Sequence, residues 1–296
     1  MSSRPRPRPY EQAVRHVAEQ SSGDPVDPAL RVTLNFHPDR LARDKPILDA
    51  LAKDGIYRSQ FVTGTSNGGL TAHPGGDRWR WESRIFGRAY DVAPAEERPV
   101  YGALNFRRKP VGGAPRFGSA HFRLTAETLT RTTFCYPDSF LEPSAFGIAA
   151  RMPLIELAEA DKQDALDDYI EAQVHGPVRL SRDVEAVVLD PCYRGTAVET
   201  SARRLPCPVE WHPGFSLAVE ELRCHPDYRG PEYIDLGTEI ATAGRIDPRA
   251  VGEAARAGRH DEQALKRVWH YVARFGELLK PATEPALRAP AEADAT

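Results

Sequence analysis

The segment Arg31-Val32-Thr33-Leu34-Asn35-Phe36 alternates polar and apolar side chains and contains β-branched residues. This period of two predicts a strand that ends at His37-Pro38, and the core begins with it. Further strand patterns follow, and several of them are separated by clusters of proline and glycine, which suit turns between antiparallel strands. The strands predicted after the first are 56–63, 100–106, 120–124, 132–136, 169–175 and 184–189.

Helical patterns surround these strands. Apolar residues recur at helical spacing in 10–20, 41–54, 153–167 and 249–280. Together the two patterns predict an α+β fold, with mainly antiparallel strands in a split sheet, flanking helices and a C-terminal helical segment. The predicted organisation is a flexible N-terminal tail with a short helix (1–30), a catalytic-type core (31–240), a helical segment packed on it (241–280) and a disordered tail (281–296).

Composition restricts the class of protein. The chain has 296 residues and a formal net charge of -3, so it lacks the broad positive charge of a nucleic-acid binder. Its longest apolar runs are much shorter than a bilayer span, and its first residues lack the apolar stretch of a secretory signal. We therefore predict a cytoplasmic protein with no membrane partner. Its four cysteines are too sparse for a disulfide framework, which indicates reduced thiols.

The segment 55–91 concentrates glycines, arginines and two tryptophans in a stretch with little periodicity after Phe61-Val62. Aromatic and cationic side chains in irregular backbone often serve a site. We therefore predict a cleft between this segment and the strand that carries Glu171. For the glycine-rich loop 63–69, a tight turn and a ligand-binding loop are both open interpretations.

Several short motifs resemble those of a bacterial family known only as a domain of unknown function. The resemblance covers roughly residues 30 to 240 and implies no activity. Its motifs are His37-Pro38-Asp39-Arg40, Tyr57-Arg58-Ser59-Gln60-Phe61, Thr63-Gly64-Thr65-Ser66-Asn67-Gly68-Gly69, His73-Pro74-Gly75-Gly76-Asp77-Arg78-Trp79, Tyr101-Gly102-Ala103-Leu104-Asn105, Arg116-Phe117-Gly118-Ser119 and Thr133-Phe134-Cys135-Tyr136-Pro137-Asp138-Ser139.

In the order of its residues the chain also resembles ADP-ribosyltransferases, which place a histidine on an early strand, then an aromatic residue, then a glutamate on a late strand. The resemblance implies NAD as substrate, Glu171 as the catalytic carboxylate and His37 as an anchor for ribose. It also implies an aromatic from Tyr57, Trp79 or Trp81 against nicotinamide, and a small-molecule nucleotide partner with a protein as one kind of acceptor. The predicted NAD-binding residues are Tyr57, Thr65, Ser66, Asn67, Gly68, Gly69, Arg78, Trp79 and Arg80, with Gly68-Gly69 and Arg78 or Arg80 at the pyrophosphate.

Two other functions remain open from the residues alone. A metal-dependent hydrolase could draw its ligands from imidazoles and carboxylates of the same region. A non-enzymatic binding module could use Trp79-Arg80-Trp81 as an anchor, since aromatic residues and arginine dominate interface hot spots. The residues available to the hydrolase are His37, Asp39, His73, Asp77, His121, Asp138 and His175.

Overall fold

An eight-stranded sheet with flanking helices forms the centre of the protein. The structure is a computed structural model and describes residues 7–42, 44–64 and 70–278. The strands are β1 (Val32–Phe36), β2 (Leu41–Ala42), β3 (Lys45–Pro46), β4 (Ile56–Tyr57), β5 (Val100–Leu104), β6 (Ala120–Leu124), β7 (Thr132–Tyr136), β8 (Ala145–Ile148), β9 (Ile170–Val174), β10 (Val178–Arg179), β11 (Val184–Leu189), β12 (Val209–Trp211), β13 (Phe215–Ala218), β14 (Arg245–Ile246) and β15 (Glu277–Leu278). The helices are α1 (Pro9–Gln20), α2 (Ile47–Asp54), α3 (Gln60–Thr63), α4 (Asp77–Ile85), α5 (Leu154–Ala160), α6 (Leu180–Asp183), α7 (Ala197–Ala202), α8 (Val219–Leu222), α9 (Glu232–Ile240), α10 (Pro248–Ala257) and α11 (Glu262–Phe275).

The large sheet has the strand order β12-β11-β6-β1-β5-β9-β7-β8. Its neighbouring strands are antiparallel, except for the parallel pair of β11 and β12. Smaller pairings join β2 to β3, β4 to β10, and β13 to both β14 and β15. The predicted α+β class with a mainly antiparallel sheet is therefore confirmed.

The two faces of the sheet differ in chemistry because side chains alternate along each strand. One face is apolar and forms the largest hydrophobic core with helices α2 and α5; Leu34, Phe122, Phe134, Ile170 and Val187 belong to this core. The opposite face of the central strands is polar. It carries Thr33, Asn35, Tyr101, His121, Thr133, Glu171 and Gln173.

The sheet is split between β1 and β5. These strands pair only at Val32 with Leu104 and at Thr33 with Ala103, although β1 continues to Phe36 and β5 begins at Val100. Gly102 lies where they part, and a Cβ atom there would come within 2.5 Å of the Thr33 carbonyl oxygen. The close approach favours glycine at this position, and the strands diverge beyond it.

Two groups of helices cover the polar face. Helices α1 and α4 pack over the β7–β8 end, where Ala13, Val17, Trp81 and Ile85 share a small core. Helix α11 covers the other end and is fixed by its Trp269, whose indole donates a hydrogen bond of 3.0 Å to the Pro115 carbonyl. Both α4 and α11 contribute side chains to a cavity at the split.

Helix α4 corrects the interpretation of segment 55–91 as irregular. Its buried positions have the spacing of one helical face, but two of the four are charged, Arg78 and Glu82, beside Trp81 and Ile85. Apolar periodicity is therefore absent although the helix has a buried face. The same mixed face brings charged groups into the interior.

Several predicted boundaries were also wrong. The predicted helix 41–54 begins only at Ile47, because Pro46 does not fit a helix interior and the hairpin β2–β3 precedes it. The predicted strand 56–63 is strand β4 followed by helix α3, because a short apolar run fits either structure. The predicted helix 153–167 is shorter in the structure, where it consists of α5 alone. The predicted helix 249–280 is divided after α10 at Gly258; α11 and then β15 follow.

The described part of the predicted N-terminal tail contacts the core. Val26 and Leu30 are buried in the largest core, and the Val26 amide donates to the Ala149 carbonyl at 2.8 Å. The domain boundaries remain predictions, and the predicted tail 281–296 lies outside the described residues. In the described ranges, no helix has the length and apolar character needed to cross a membrane.

Candidate active site

A cavity of about 1040 Å³ lies at the split between β1 and β5. This volume is at the upper end of the range for small-molecule sites. Its lining comes from the sheet, from helices α2, α4 and α11, and from the segment 56–63, so the predicted position of the cleft agrees with the structure. Sheet residues in the lining include Thr33, Asn35, Tyr101, Gly102, Ala103 and Glu171.

Glu171 lies at the closed end of the split, because strand pairing aligns it with Ala103, which in turn pairs with Thr33. The side chain is 9% exposed. Its Oε2 accepts hydrogen bonds from the Ser139 amide (3.2 Å) and hydroxyl (2.8 Å), and its Oε1 accepts one from the Gln173 amide group (3.0 Å). These donors fix the orientation of the carboxylate.

Arg78 is the cation nearest to this carboxylate. Its NH1 lies 3.9 Å from Glu171 Oε1 and donates to the Ser139 hydroxyl at 2.8 Å. The guanidinium lies over the Tyr101 ring, 3.9 Å from the centroid. Its Nε–H is buried without a hydrogen-bond partner among the described residues. A buried donor without a partner is uncommon, because buried donors are nearly always paired.

A second buried ion pair, between Arg98 and Glu82, supports this arrangement through Tyr101. Arg98 and Glu82 are joined at 2.5 Å, and both side chains are almost fully buried. The Tyr101 hydroxyl donates to Glu82 at 3.0 Å. Burial raises the pKa of Glu82 to about 7, although Arg98 opposes this effect. Tyr101 thus connects the Arg98–Glu82 pair to Arg78.

Burial dominates the electrostatics of Glu171 and raises the pKa of its carboxyl group above the ordinary value. The cation of Arg78 lowers the pKa of Glu171, and the nearby Asp138 carboxylate raises it. A carboxylate with a raised pKa in a cleft is a frequent feature of catalytic sites. Glu171 therefore combines fixed geometry with altered acidity.

The polar side chains of β9 continue away from the cavity as a buried chain of hydrogen bonds. Gln173 accepts from the Thr133 hydroxyl at 2.9 Å, and His175 contacts both Thr133 (2.9 Å) and the Tyr90 hydroxyl (2.7 Å). Burial lowers the pKa of His175 to about 3, so the ring is neutral. This series of hydrogen bonds provides partners for the polar face and, through Gln173, helps to position Glu171.

His37 lies at the open end of the split. It follows Thr33 by four residues, which at about 3.3 Å per residue is roughly 13 Å along the strand direction. Burial, Arg40 and Lys266 lower the pKa of His37 to about 3, so the imidazole is neutral at pH 7. Its ring meets Trp269 edge-on, with centroids 5.1 Å apart. His37 and Glu171 thus line the same cavity at different ends.

Aromatic rings contribute to the cavity lining. At the Glu171 end, Phe117 meets Tyr169 edge-to-face at 5.5 Å, and the Tyr169 hydroxyl donates to Asp138. Tyr57 meets Phe122 edge-to-face at 5.8 Å, and burial raises the pKa of Tyr57 to about 12. Tyr57, Tyr101, Phe117 and Tyr169 all line the cavity.

Four of the residues predicted to bind or act on NAD line the cavity, namely His37, Tyr57, Arg78 and Glu171. Two do not. Arg80 is exposed on α4 and donates to the Gly75 carbonyl, and Trp79 is half-buried outside the lining. Trp81 packs in the small core against Phe146. The predicted residues Thr65, Ser66, Asn67, Gly68 and Gly69 lie outside the described residues.

Sequence reasoning missed several residues of the site. Tyr101, Arg116, Phe117 and Ser139 line the cavity and lie within motifs quoted for the family resemblance, so those motifs were the available signal. Asp138 also lines the cavity, and it was predicted only as a metal ligand. Lys266 was assigned only to a helical segment packed on the core. Its position in the lining shows that α11 contributes to the cavity as well as to the core.

The residues proposed as metal ligands do not converge. His175 has hydrogen-bond partners at both ring nitrogens, and His73 is exposed and bonded to the Pro74 carbonyl. Asp39 forms an ion pair with Arg256 at 3.1 Å. Over residues 7–42, 44–64 and 70–278, no group of three or more His, Cys, Asp or Glu side chains has an arrangement suited to a metal ion.

Comparison with known proteins identifies a family but no activity. No curated protein matches the chain in sequence. The family model described as a protein of unknown function (DUF3626) matches residues 31–155 and 144–280. These matches span the site described above, from His37 to Lys266. Since they cover well over half of the chain, the protein belongs to this family of unknown function, and the predicted membership of an uncharacterised domain family is confirmed.

Proposed function

We propose that the protein cleaves the bond between nicotinamide and ribose in NAD, transferring ADP-ribose to an acceptor or to water. The observation that carries this proposal is the position of Glu171. It is a buried, oriented carboxylate at the closed end of an elongated cavity in a split sheet. Such a carboxylate stabilises positive charge that develops on the ribose as nicotinamide leaves.

The proposed reaction needs little from the protein beyond positioning and one negative charge. The C1'–N bond breaks and its electrons leave with the nicotinamide nitrogen. A water or acceptor oxygen or nitrogen then forms the new bond to C1' and loses a proton. Glu171 faces the sugar, and Arg78 and Ser139 hold the carboxylate in place.

The closed end of the cavity has features that fit an aromatic amide. Phe117 and Tyr169 offer ring faces and edges there. Between β1 and β5, the Arg31 carbonyl accepts a hydrogen bond from the Asn105 amide. Because the backbone groups of every second residue point to the same side of a strand, those of Asn35 and Tyr101 point into the gap between β1 and β5. An extended strand edge of this kind can pair with a carboxamide group.

The decisive variant is Glu171→Gln, which keeps the shape of the side chain and removes its charge. We expect nicotinamide release to fall at least about 100-fold, with NAD affinity retained, because the charge matters in the transition state. The matched control is Glu185→Gln. Glu185 lies on β11, outside the cavity lining, and pairs with Arg31 and Arg123.

Three results would contradict the assignment. Full turnover in Glu171→Gln would remove Glu171 from the mechanism, and equal losses in both variants would show a general effect on folding. NAD binding without any release of nicotinamide by the unaltered protein would support the binding module instead.

A further inference from the structure

The proposed reaction releases one proton, and Glu171 is poorly placed to accept it. When water, or an oxygen or nitrogen of an acceptor, bonds to C1', the attacking atom gives up a proton, and a carboxylate within reach accelerates that transfer. Both oxygens of Glu171 already accept hydrogen bonds, from Ser139 and Gln173, and its negative charge is needed beside the ribose. A separate base would leave Glu171 to its electrostatic role.

Asp138 supplies a second carboxylate to the cavity. It follows β7, is half-buried and lines the cavity, and it caps the 3-10 turn Ser139–Leu141. Among the described residues it has two hydrogen-bond donors, the Phe140 amide at 3.1 Å and the Tyr169 hydroxyl. An ionised carboxylate offers about four lone-pair sites, so these two donors leave room for a hydrogen bond from a bound nucleophile.

Hydrogen bonds hold Asp138 and Glu171 side by side. Tyr169 and Glu171 are two residues apart, and both line the cavity. Tyr169 donates to Asp138, whereas Glu171 accepts from Ser139, the residue directly after Asp138. The two carboxylates also interact electrostatically, because Asp138 adds to the effect of burial in raising the pKa of Glu171. Two carboxylates beside the reacting carbon are the machinery of most glycoside hydrolases, which also break a bond at C1 of a sugar.

We propose that Asp138 is the general base of the site and takes the proton from the group that attacks C1'. This inference rests on the proposed function, since it assigns one step of that reaction. A lone pair of the attacking oxygen or nitrogen forms the bond to C1', and the electrons of its bond to hydrogen stay on that atom. The proton passes to an oxygen of Asp138 and then to solvent, while Glu171 keeps its charge beside the ribose.

Asp138→Asn separates the role of a base from that of a turn cap. Asparagine caps as well as aspartate does, and its oxygen can still accept from the Phe140 amide, but its side chain cannot take up the proton. We expect nicotinamide release to fall about 100-fold or more, the usual contribution of general acid–base catalysis, with thermal unfolding unchanged.

A control and a second nucleophile complete the test. The matched control is Asp27→Asn, because Asp27 also accepts from the amide two residues later, at 2.8 Å, but lies outside the cavity lining; its variant should keep the full rate. Azide is an anionic nucleophile that attacks without losing a proton, so it needs no base. Azide should raise nicotinamide release by Asp138→Asn about tenfold or more, whereas Glu171→Gln should stay slow, because loss of its charge impairs the departure of nicotinamide.

The outcomes separate the base from the proposed activity. A slow Asp138→Asn that azide accelerates, with Asp27→Asn at the full rate, supports the role of Asp138. A full rate in Asp138→Asn, or a low rate that azide does not raise, would overturn that role and leave the activity and Glu171 in place. An unaltered protein that releases no nicotinamide, with or without azide, would overturn the proposed function and the base together.

Discussion

Arg98→Met tests the buried charges that support helix α4. The Arg98 guanidinium pairs with Glu82 at 2.5 Å, donates to the Tyr90 carbonyl at 2.8 Å and lies over the Phe61 ring at 4.3 Å. Methionine keeps most of the apolar packing of the arginine stem but removes its charge and donors. Glu82 would then be buried without a cation.

The expected cost depends on pH. Removing one partner of a buried ion pair costs about 3–5 kcal/mol. Burial already raises the pKa of Glu82 to about 7 with Arg98 present, and loss of the cation raises it further. A carboxyl pKa that is higher in the folded state gives stability that is full below the unfolded pKa and lost as pH rises through the folded pKa. The unaltered protein stops losing stability once the pH exceeds the pKa of its Glu82. The variant continues to lose stability up to its own, higher Glu82 pKa, so the difference in free energy of unfolding grows by about 1.4 kcal/mol for each unit of additional shift.

Urea unfolding at about pH 6 and about pH 9 measures both quantities. The matched control is Arg249→Met, which breaks an exposed pair with Glu253 and should have a much smaller and nearly constant effect. A cost for Arg98→Met that does not increase with pH would refute the reasoning. So would a cost no larger than that of the control.

Three further variants test the site and its support. Ser139→Ala removes the hydroxyl that donates to Glu171 at 2.8 Å, and should lower the rate of nicotinamide release about 10- to 100-fold; an unchanged rate would contradict the positioning role. Gly102→Val places a Cβ atom within 2.5 Å of the Thr33 carbonyl, and should lower the free energy of unfolding by about 1–3 kcal/mol in urea titration; no loss would contradict the close approach of β1 and β5. Trp81→Ala empties a buried position and should lower the free energy of unfolding by about 3–5 kcal/mol in the same titration. A stability near that of the unaltered protein would contradict the buried position of Trp81.

The central strands could be predicted from the sequence because their alternation is strong. Strand β9 is the clearest case, since Ile170, Ala172 and Val174 face the core while Glu171 and Gln173 face the polar side. The prediction gave the correct strand and a candidate residue on it.

The surroundings of Glu171 could not be predicted in the same way. Ser139 and Arg78 contact Glu171, and Tyr101 contacts Arg78, through strand pairing and helix packing over long sequence separations, which no local pattern records. Helix α4 was missed because charged residues occupy half of its buried face. Residues 65–69 of the glycine-rich loop lie outside the described residues, and the geometry described for the site rests on residues that the sheet and helix α4 bring together.

The measurement closest to the central claim is a calorimetric titration of the metal-free protein with NAD, followed by assay of the same sample for nicotinamide. The account predicts binding to a single site and slow release of nicotinamide that requires Glu171. Absence of binding at millimolar NAD would contradict it.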